Sequence, residues 1–361
     1  MKRKPDFKNG IFHGKPIYVL AVILLTVLLV ISILTAVTIG SVDLSVKDVY
    51  SVILYKVFGI GDPEVYGVGA MSDIVWFIRL PRILLATAVG MGLAVAGVVM
   101  QAIVKNPIAD PYILGISSGA SLGATVAIFL GVGAVFGSNS IGICAFIGAF
   151  LISVLVQITA NIGGRANSVR LLLAGTALGS VCSAFSNFVV YIAGDRDGIQ
   201  TVTFWLMGSL AGAKWENLAV IIPCAFIATL FFCTQSRILN MMLLGDEVSI
   251  TLGTDLHRYR QVYLVVTALL IGFVVYSAGI IGFVGLIIPH VVRMFFGTDH
   301  KKMLPLSALS GSIFLIWADV ASRIIIPKSE VPIGILVSMI GAPCFIYLLV
   351  RRSYGFGGEK S

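Results

Sequence analysis

Four histidines, five cysteines and a handful of carboxylates are the side chains in this sequence that could do chemistry, and their spacing argues against catalysis. His13, His257, His290 and His300 have no partner at metal-ligand or catalytic-triad spacing. Cys144, Cys182, Cys224, Cys233 and Cys344 all lie in apolar stretches with no CxxC pair, so they read as small buried hydrophobes. Asp195-Arg-Asp197-Gly198 resembles the start of a calcium loop but lacks the later ligands and reads as a solvated turn. No glycine-rich phosphate loop ending in Gly-Lys-Ser/Thr occurs, so the chain is not expected to hold ATP itself. These residues predict neither a metal nor a resident cofactor.

A second group is defined by spacing along the chain. Arg79-Leu-Pro-Arg82 opens about twenty apolar residues, and Lys105-Asn-Pro-Ile-Ala-Asp-Pro-Tyr112 closes them. Pro107 and Pro111 each remove an amide donor and disfavour helical geometry in the preceding residue, so no regular helix continues through both. Gly115, Gly119 and Gly123 follow at four-residue spacing, a stripe on which another helix can pack backbone to backbone. In a membrane, broken backbone is tolerated only where protein buries it or water reaches it, so this break is a candidate transport pathway. Arg79 and Arg82 read either as ordinary interfacial arginines with snorkelling heads or as an anion-binding or docking pair. Asp319 and Arg323, four residues apart on one helix face, could pair with each other.

The elements that must position these residues are membrane spans. Hydrophobic residues make up 58% of the 361 and charged residues only 12%, against the ~25% charged typical of a soluble domain. The pattern predicts an all-α polytopic membrane protein with ten spans, at 17–39, 82–104, 111–131, 139–160, 170–193, 217–236, 261–278, 280–296, 304–324 and 331–350. Each is near the ~20 residues that cross the hydrocarbon. The first, behind a basic start, is too long for a signal-peptide core and reads as a retained anchor. Ten spans place both termini on one side. With that side cytoplasmic, 17 of the 25 Lys and Arg residues fall inside, which satisfies the positive-inside rule and accounts for the net charge of +8 without nucleic acid.

Residues 40–78 form the longest outer loop, with a short amphipathic helix expected near 45–58. The longest inner segment, 237–260, reads as two short helices joined at Gly253 and lying along the membrane face. The regions 79–193 and 261–350 show a weak similarity, with Ala96-Gly97 and Ala278-Gly279 as matching pairs. The copies begin five spans apart and therefore face opposite ways, an inverted repeat within one permease domain. Few ionisable groups lie mid-span, which argues against proton or ion coupling and for energy supplied by another subunit.

Taken in combination, these segments resemble the FecCD family, the permease subunits of type II ABC importers for iron(III)-siderophores, haem and cobalamin. The resemblance rests on Arg79-Leu-Pro-Arg82, Asn106-Pro-Ile-Ala-Asp-Pro111 and Gly115-Ile-Ser-Ser-Gly-Ala120. It extends through Arg170-Leu-Leu-Leu-Ala-Gly175, Trp205-Leu-Met-Gly-Ser209 and Leu243-Leu-Gly-Asp-Glu247, with Leu252-Gly253. It ends with Gly282 to His290, Ala318-Asp-Val-Ala-Ser-Arg323, Pro332-Ile-Gly334 and Gly341-Ala-Pro343.

The resemblance implies a multi-pass permease of the cell membrane, non-catalytic, paired with a second copy or a paralogue. Two cytoplasmic ATPase subunits would use ATP and Mg, and an extracellular or periplasmic binding protein would deliver the substrate. By resemblance, Arg79, Arg82 and Arg323 meet acidic residues of that binding protein as a positive platform. Asn106, Ile108, Ser168 and Val169 form the cytoplasmic gate, Val169 standing where the family often has a small hydroxyl residue. Leu244, Gly245, Asp246 and Glu247, with Gly253, dock in a cleft of the ATPase. A charge-poor pathway suits a bulky chelate, and an iron(III)-siderophore is the leading substrate, with haem or cobalamin the alternative. A secondary transporter built on inverted repeats is the rival of another class, and a membrane-embedded enzyme a remoter one.

Overall fold

The computed structural model describes residues 12, 14–40, 42–162, 164–326 and 329–351. Fifteen α-helices carry the described chain: α1 (Lys15–Thr38), α2 (Val46–Phe58), α3 (Ala70–Asp73), α4 (Leu80–Val104), α5 (Ile116–Leu130), α6 (Ser140–Asn161), α7 (Ser168–Ala193), α8 (Arg196–Leu206), α9 (Trp215–Thr234), α10 (Ser236–Leu244), α11 (Asp246–Thr251), α12 (Leu256–Ala278), α13 (Val284–Phe296), α14 (His300–Ile324) and α15 (Ile333–Arg351). Seven are long and apolar enough to cross a membrane (α4 with the helical turns before it), and α5, α13 and α15 are shorter apolar helices. Each of the ten expected spans coincides with one of these ten. His13, the basic residues 2–8 and most of the C-terminal tail lie outside the described residues.

α4 is the axis of the bundle. Nearly every side chain from Pro81 to Val104 is buried, and α14, α9, α13 and α12 pack around it. The approach is close because glycines face backbone: a Cβ on Gly90 would sit 2.3 Å from the Gly311 carbonyl, and one on Gly97 only 1.8 Å from the Gly285 carbonyl. In lipid the hydrophobic effect does little to bring helices together, so contacts of this kind hold the bundle. α5 lies against α6 in the same way, Gly119 meeting Gly148 and Ile152, and Gly123 meeting Cys144 and Ala145. Gly115 does a different job. It turns the chain at φ +73° and faces Gly175 and Gly179 of α7. The two Ala-Gly pairs also take different places, Gly97 inside α4 and Gly279 at the end of α12 with φ +68°.

Local signals set the helix ends. Pro81 opens α4, and Lys105, in left-handed geometry at φ +56°, closes it. Pro107 keeps the next residues out of a helix. Asp110 then caps a single tight turn, Pro111–Leu114, by accepting the Tyr112 amide at 2.8 Å, before α5 begins. α2 matches the expected amphipathic helix, capped by Ser45 and ended by Gly59. Two expectations are corrected. The Asp195–Gly198 stretch is a helix start, with Asp195 accepting the Asp197 and Gly198 amides to cap α8. The inner helices α10 and α11 join at Gly245 (φ +102°), while Gly253 (φ +80°) follows α11.

Candidate functional site

Three places along the α4 axis bear on function. At its start, Arg79, Arg82 and Arg323 come together, but none of them is free. Arg79 is 3% exposed, and its guanidinium donates to the Val37 and Thr38 carbonyls at 3.3 and 3.0 Å and to the Val42 carbonyl. It thereby satisfies carbonyls left open at the end of α1. Arg82 donates Nε–H to Asp319 Oδ1 at 2.8 Å and holds both Glu330 oxygens at 3.0 and 2.8 Å. Arg323 lies 3.2 Å from Asp319 Oδ2 and donates to the Ile39 carbonyl at 2.8 Å. Asp319 is fully buried, between two arginines. The expected platform of three free positive charges per chain is therefore corrected: Asp319 and Glu330 neutralise two of them. Glu330, with a side chain 45% exposed, is the part of this network that faces outward. Spacing alone could not reveal this, because Arg82 and Glu330 are 248 residues apart.

At the far end of α4, about 35 Å along the helix axis, the four expected gate residues lie on two adjoining walls. The first wall is the break itself. Asn106 accepts the Ile108 amide on its side chain at 3.1 Å, and its backbone carbonyl accepts the Ala109 amide at 3.1 Å, a compact turn that leaves both residues half-buried. The second is the start of α7, where Asn167 caps the helix by accepting the Arg170 amide at 2.9 Å. Ser168 ties the walls together by donating to the Ile103 carbonyl at 3.3 Å, and Val169 beside it is 63% exposed.

The inner segment abuts these walls, and its residues divide by direction. Leu244, Val248, Ile250 and Leu252 are 57, 45, 57 and 61% exposed, with Glu247 exposed among them. Asp246 faces the other way, accepting from Arg260 Nη2 at 2.6 Å with Lys105 Nζ 3.6 Å off. Burial pushes its carboxyl up, but the hydrogen bond and charge of Arg260, with Lys105, outweigh that and hold it below the ordinary carboxylate value. Asp246, with a side chain 41% exposed, therefore differs from its exposed neighbours in also holding residues of the permease itself, beside the expected gate walls.

Between the two ends, α5 and α7 frame an open groove of about 520 Å³. Ser117 and Ser118 line one side, and Thr176, Ser180, Ser183 and Asn187 the other. Ser183 and Ser118 hydroxyls meet across it at 3.5 Å. The four α7 residues are exposed on a helix that must span the membrane. Their three- and four-residue spacing was visible in the sequence as a polar stripe in an apolar run, and was missed.

A family model describing the FecCD transport family matches residues 28–351. The chain belongs to the FecCD transport family. It is a multi-pass permease of the cell membrane. Among curated relatives, an uncharacterised ABC transporter permease protein of Bacillus subtilis, YvrB, is 37% identical over 332 residues, covering 91% of this chain and 92% of the relative. The vitamin B12 import system permease protein BtuC of Salmonella typhi is 41% identical over 280 residues, 77% of this chain and 84% of that one. A solved structure described as an inward-facing conformation of a metal-chelate type ABC transporter superposes with a TM-score of 0.79 at 32% identity, covering 92% of this chain and 99% of that one. The inward-turned Asp246 and the neutralised arginines were found from the geometry.

Proposed function

We propose that this FecCD permease is the membrane subunit of an ATP-driven importer for a metal chelate, with an iron(III)-siderophore as the leading substrate. The observation that carries the reading is the hydroxyl- and amide-lined groove between α5 and α7. Thr176 and Ser180 donate to carbonyls of their own helix, but a stripe that also carries Ser183 and Asn187 is disfavoured against lipid. It needs water or protein beside it, and a second copy of the chain across the groove supplies both: a dimer with a wet central passage. Neutral hydroxyls bind a bulky chelate weakly, as a passage requires, whereas a bare cation would call for carboxylate or imidazole ligands.

The other partners follow from the two ends. The exposed apolar face of α10–α11, with Glu247 at its edge, is the docking surface for a cytoplasmic ATPase subunit, one per permease copy. The outer network, with Glu330 at its rim, faces a binding protein that delivers the chelate. ATP and Mg belong to the ATPase, so the permease is non-catalytic. The Salmonella relatives support cobalamin as a second reading, because a neutral hydrogen-bonding groove also suits a corrinoid. Haem is the remaining variant.

The test is uptake in vesicles containing the chain with its ATPase subunit and binding protein. Uptake is expected to stop when ATP is depleted and to survive an uncoupler that spares ATP. Leu252→Lys, on the docking face, is expected to lose the co-purifying ATPase. Uptake that follows the proton gradient without ATP would overturn the reading in favour of secondary transport. Ligand binding by the partner binding protein, with an iron(III)-siderophore and cobalamin compared directly, decides between the substrates.

A further inference from the structure

The contacts around Asp246 close a ring. Asp246, the first residue of α11, accepts from Arg260 Nη2 at 2.6 Å. Arg260 is 3% exposed, and its other terminal nitrogen donates to the Ala166 carbonyl at 2.9 Å. Ala166 is one residue before Asn167, the cap of α7, so this bond grips the strand of chain entering the second gate wall. Two residues on, Ser168 donates to the Ile103 carbonyl near the end of α4. Lys105 then ends α4 and returns to Asp246 at 3.6 Å. Asn106, the first residue beyond it in the break, follows Lys105 directly in the chain. The ring thus joins the inner segment to both gate walls through a single carboxylate.

The geometry has directional consequences. α11 meets the rest of the chain through Asp246 and the buried Ser249, which donates to the Gly245 and Met241 carbonyls at 2.7 and 3.1 Å. The α10–α11 unit is therefore stiff across Gly245, and a push on its exposed apolar face moves Asp246 with it. Gly245 itself leaves room for the lysine: a Cβ there would lie 3.4 Å from Lys105 Nζ. We propose that Asp246 is a positioning residue that transmits displacement of the inner segment to the gate along two separate arms, Lys105 to the 105–110 break and Arg260 through Ala166 to the start of α7. The proposal rests on the gated-importer reading above and adds to it which side chains carry the motion.

The experiment uses the full transporter, permease with its ATPase subunit, in lipid vesicles. Single cysteines are placed at Ile108 or Val169, and their rates of maleimide labelling from the inside, read by mass spectrometry at the introduced site, are compared with and without ATP. For a two-state gate coupled with ordinary strength to nucleotide, the wild-type background should show a change on the order of tenfold at both positions. Asp246→Asn is expected to flatten both responses to less than about twofold while the ATPase subunit still co-purifies, and Asp246→Glu to restore them. Lys105→Gln, at a half-exposed side chain that folding tolerates, is expected to flatten the response at 108 and spare 169. Full responses at both positions in Asp246→Asn or in Lys105→Gln would overturn the relay. So would loss of the co-purifying ATPase in Asp246→Asn, because that outcome makes Asp246 a docking contact. If the wild-type background shows no ATP-dependent change at either position, the gated-importer reading fails, and the relay with it.

Discussion

Replacing Asp319 with asparagine is the sharpest test of how the outer end is built. The carboxylate is fully buried, 2.8 Å from Arg82 Nε and 3.2 Å from Arg323 Nε. Asparagine keeps the shape and removes the charge, leaving two guanidiniums side by side. Breaking a buried pair by neutralising one partner costs ~3–5 kcal/mol. Arg82 keeps Glu330, but that carboxylate is 45% exposed and its support is screened, while Arg323 keeps carbonyl acceptors at Ile39 and Asp319. Those remaining partners argue for the low end, ~3 kcal/mol, which at about 1.4 kcal/mol per decade is roughly a hundredfold in the folded-to-unfolded ratio. The assay is unfolding in mixed micelles titrated with SDS, followed by tryptophan fluorescence. The cost comes from uncompensated charge, so removing the opposite charge as well should recover much of it. Asp319→Leu combined with Arg323→Met is expected to be more stable than Asp319→Asn alone. A single variant within about 0.5 kcal/mol of wild type, or a double variant no better than the single, would refute the charge argument.

Three further outcomes follow from the geometry. Gly97→Ala drives a Cβ to 1.8 Å from the Gly285 carbonyl, and neither backbone can yield without parting α4 from α13. It should cost ~3 kcal/mol or more and cut the yield of monodisperse protein, while Gly212→Ala, with open space around it, should not. Glu330→Gln removes the network's outward-facing carboxylate and should strengthen association with a binding protein that presents acidic residues, most at low salt; equal affinity for this variant and wild type across salt would make the network purely structural. The Asp246 carboxyl sits below its ordinary value, so the contribution of its ion pairs is fully present above the unfolded-state value of ~3.9 and fades only as pH falls through the lower folded value. ATP-dependent labelling at Ile108 should therefore hold from pH 8 down to pH 5, and a loss near pH 6 would point to another titrating group.

Where a signal is local, the sequence carried it. Pro107 and Pro111 foretold the break, and the amphipathic helix expected near 45–58 is α2, Val46–Phe58. The ten apolar stretches correspond to ten helices because a spanning helix must satisfy its own backbone within one segment, so its identity is written in consecutive residues. What escaped depends on residues far apart. Arg79 ends on carbonyls some forty positions earlier, and Asp246 meets a lysine 141 positions earlier. Periodicity cannot say which of several arginines finds which carboxylate. The joint at Gly245 was missed for a smaller reason: Gly245 and Gly253 both adopt positive φ, and nothing local says which one separates two helices and which one ends the second.

The two ends of α4 are built for different duties, and burial separates them. At the outer end, Asp319, Arg82 and Arg323 are 0, 5 and 7% exposed. Groups so buried cannot exchange partners without exposing an uncompensated charge, which costs several kcal/mol. α1, α4 and α14 are therefore tied there into a body that moves as one piece. At the inner end, the Asp246 and Lys105 side chains are 41 and 32% exposed and 3.6 Å apart. A contact of that kind is worth ~0–1 kcal/mol and water can replace either partner, so it can be made and broken within a cycle driven by nucleotide. Arg260, at 3% exposure, holds both Asp246 and the Ala166 carbonyl, so the start of α7 follows the carboxylate as it shifts. Motion introduced at the exposed face of α10–α11 thus meets little resistance at the gate and much at the outer network. On the relay proposed above, opening and closing fall to the 105–110 break and the start of α7, while the buried outer network stays fixed.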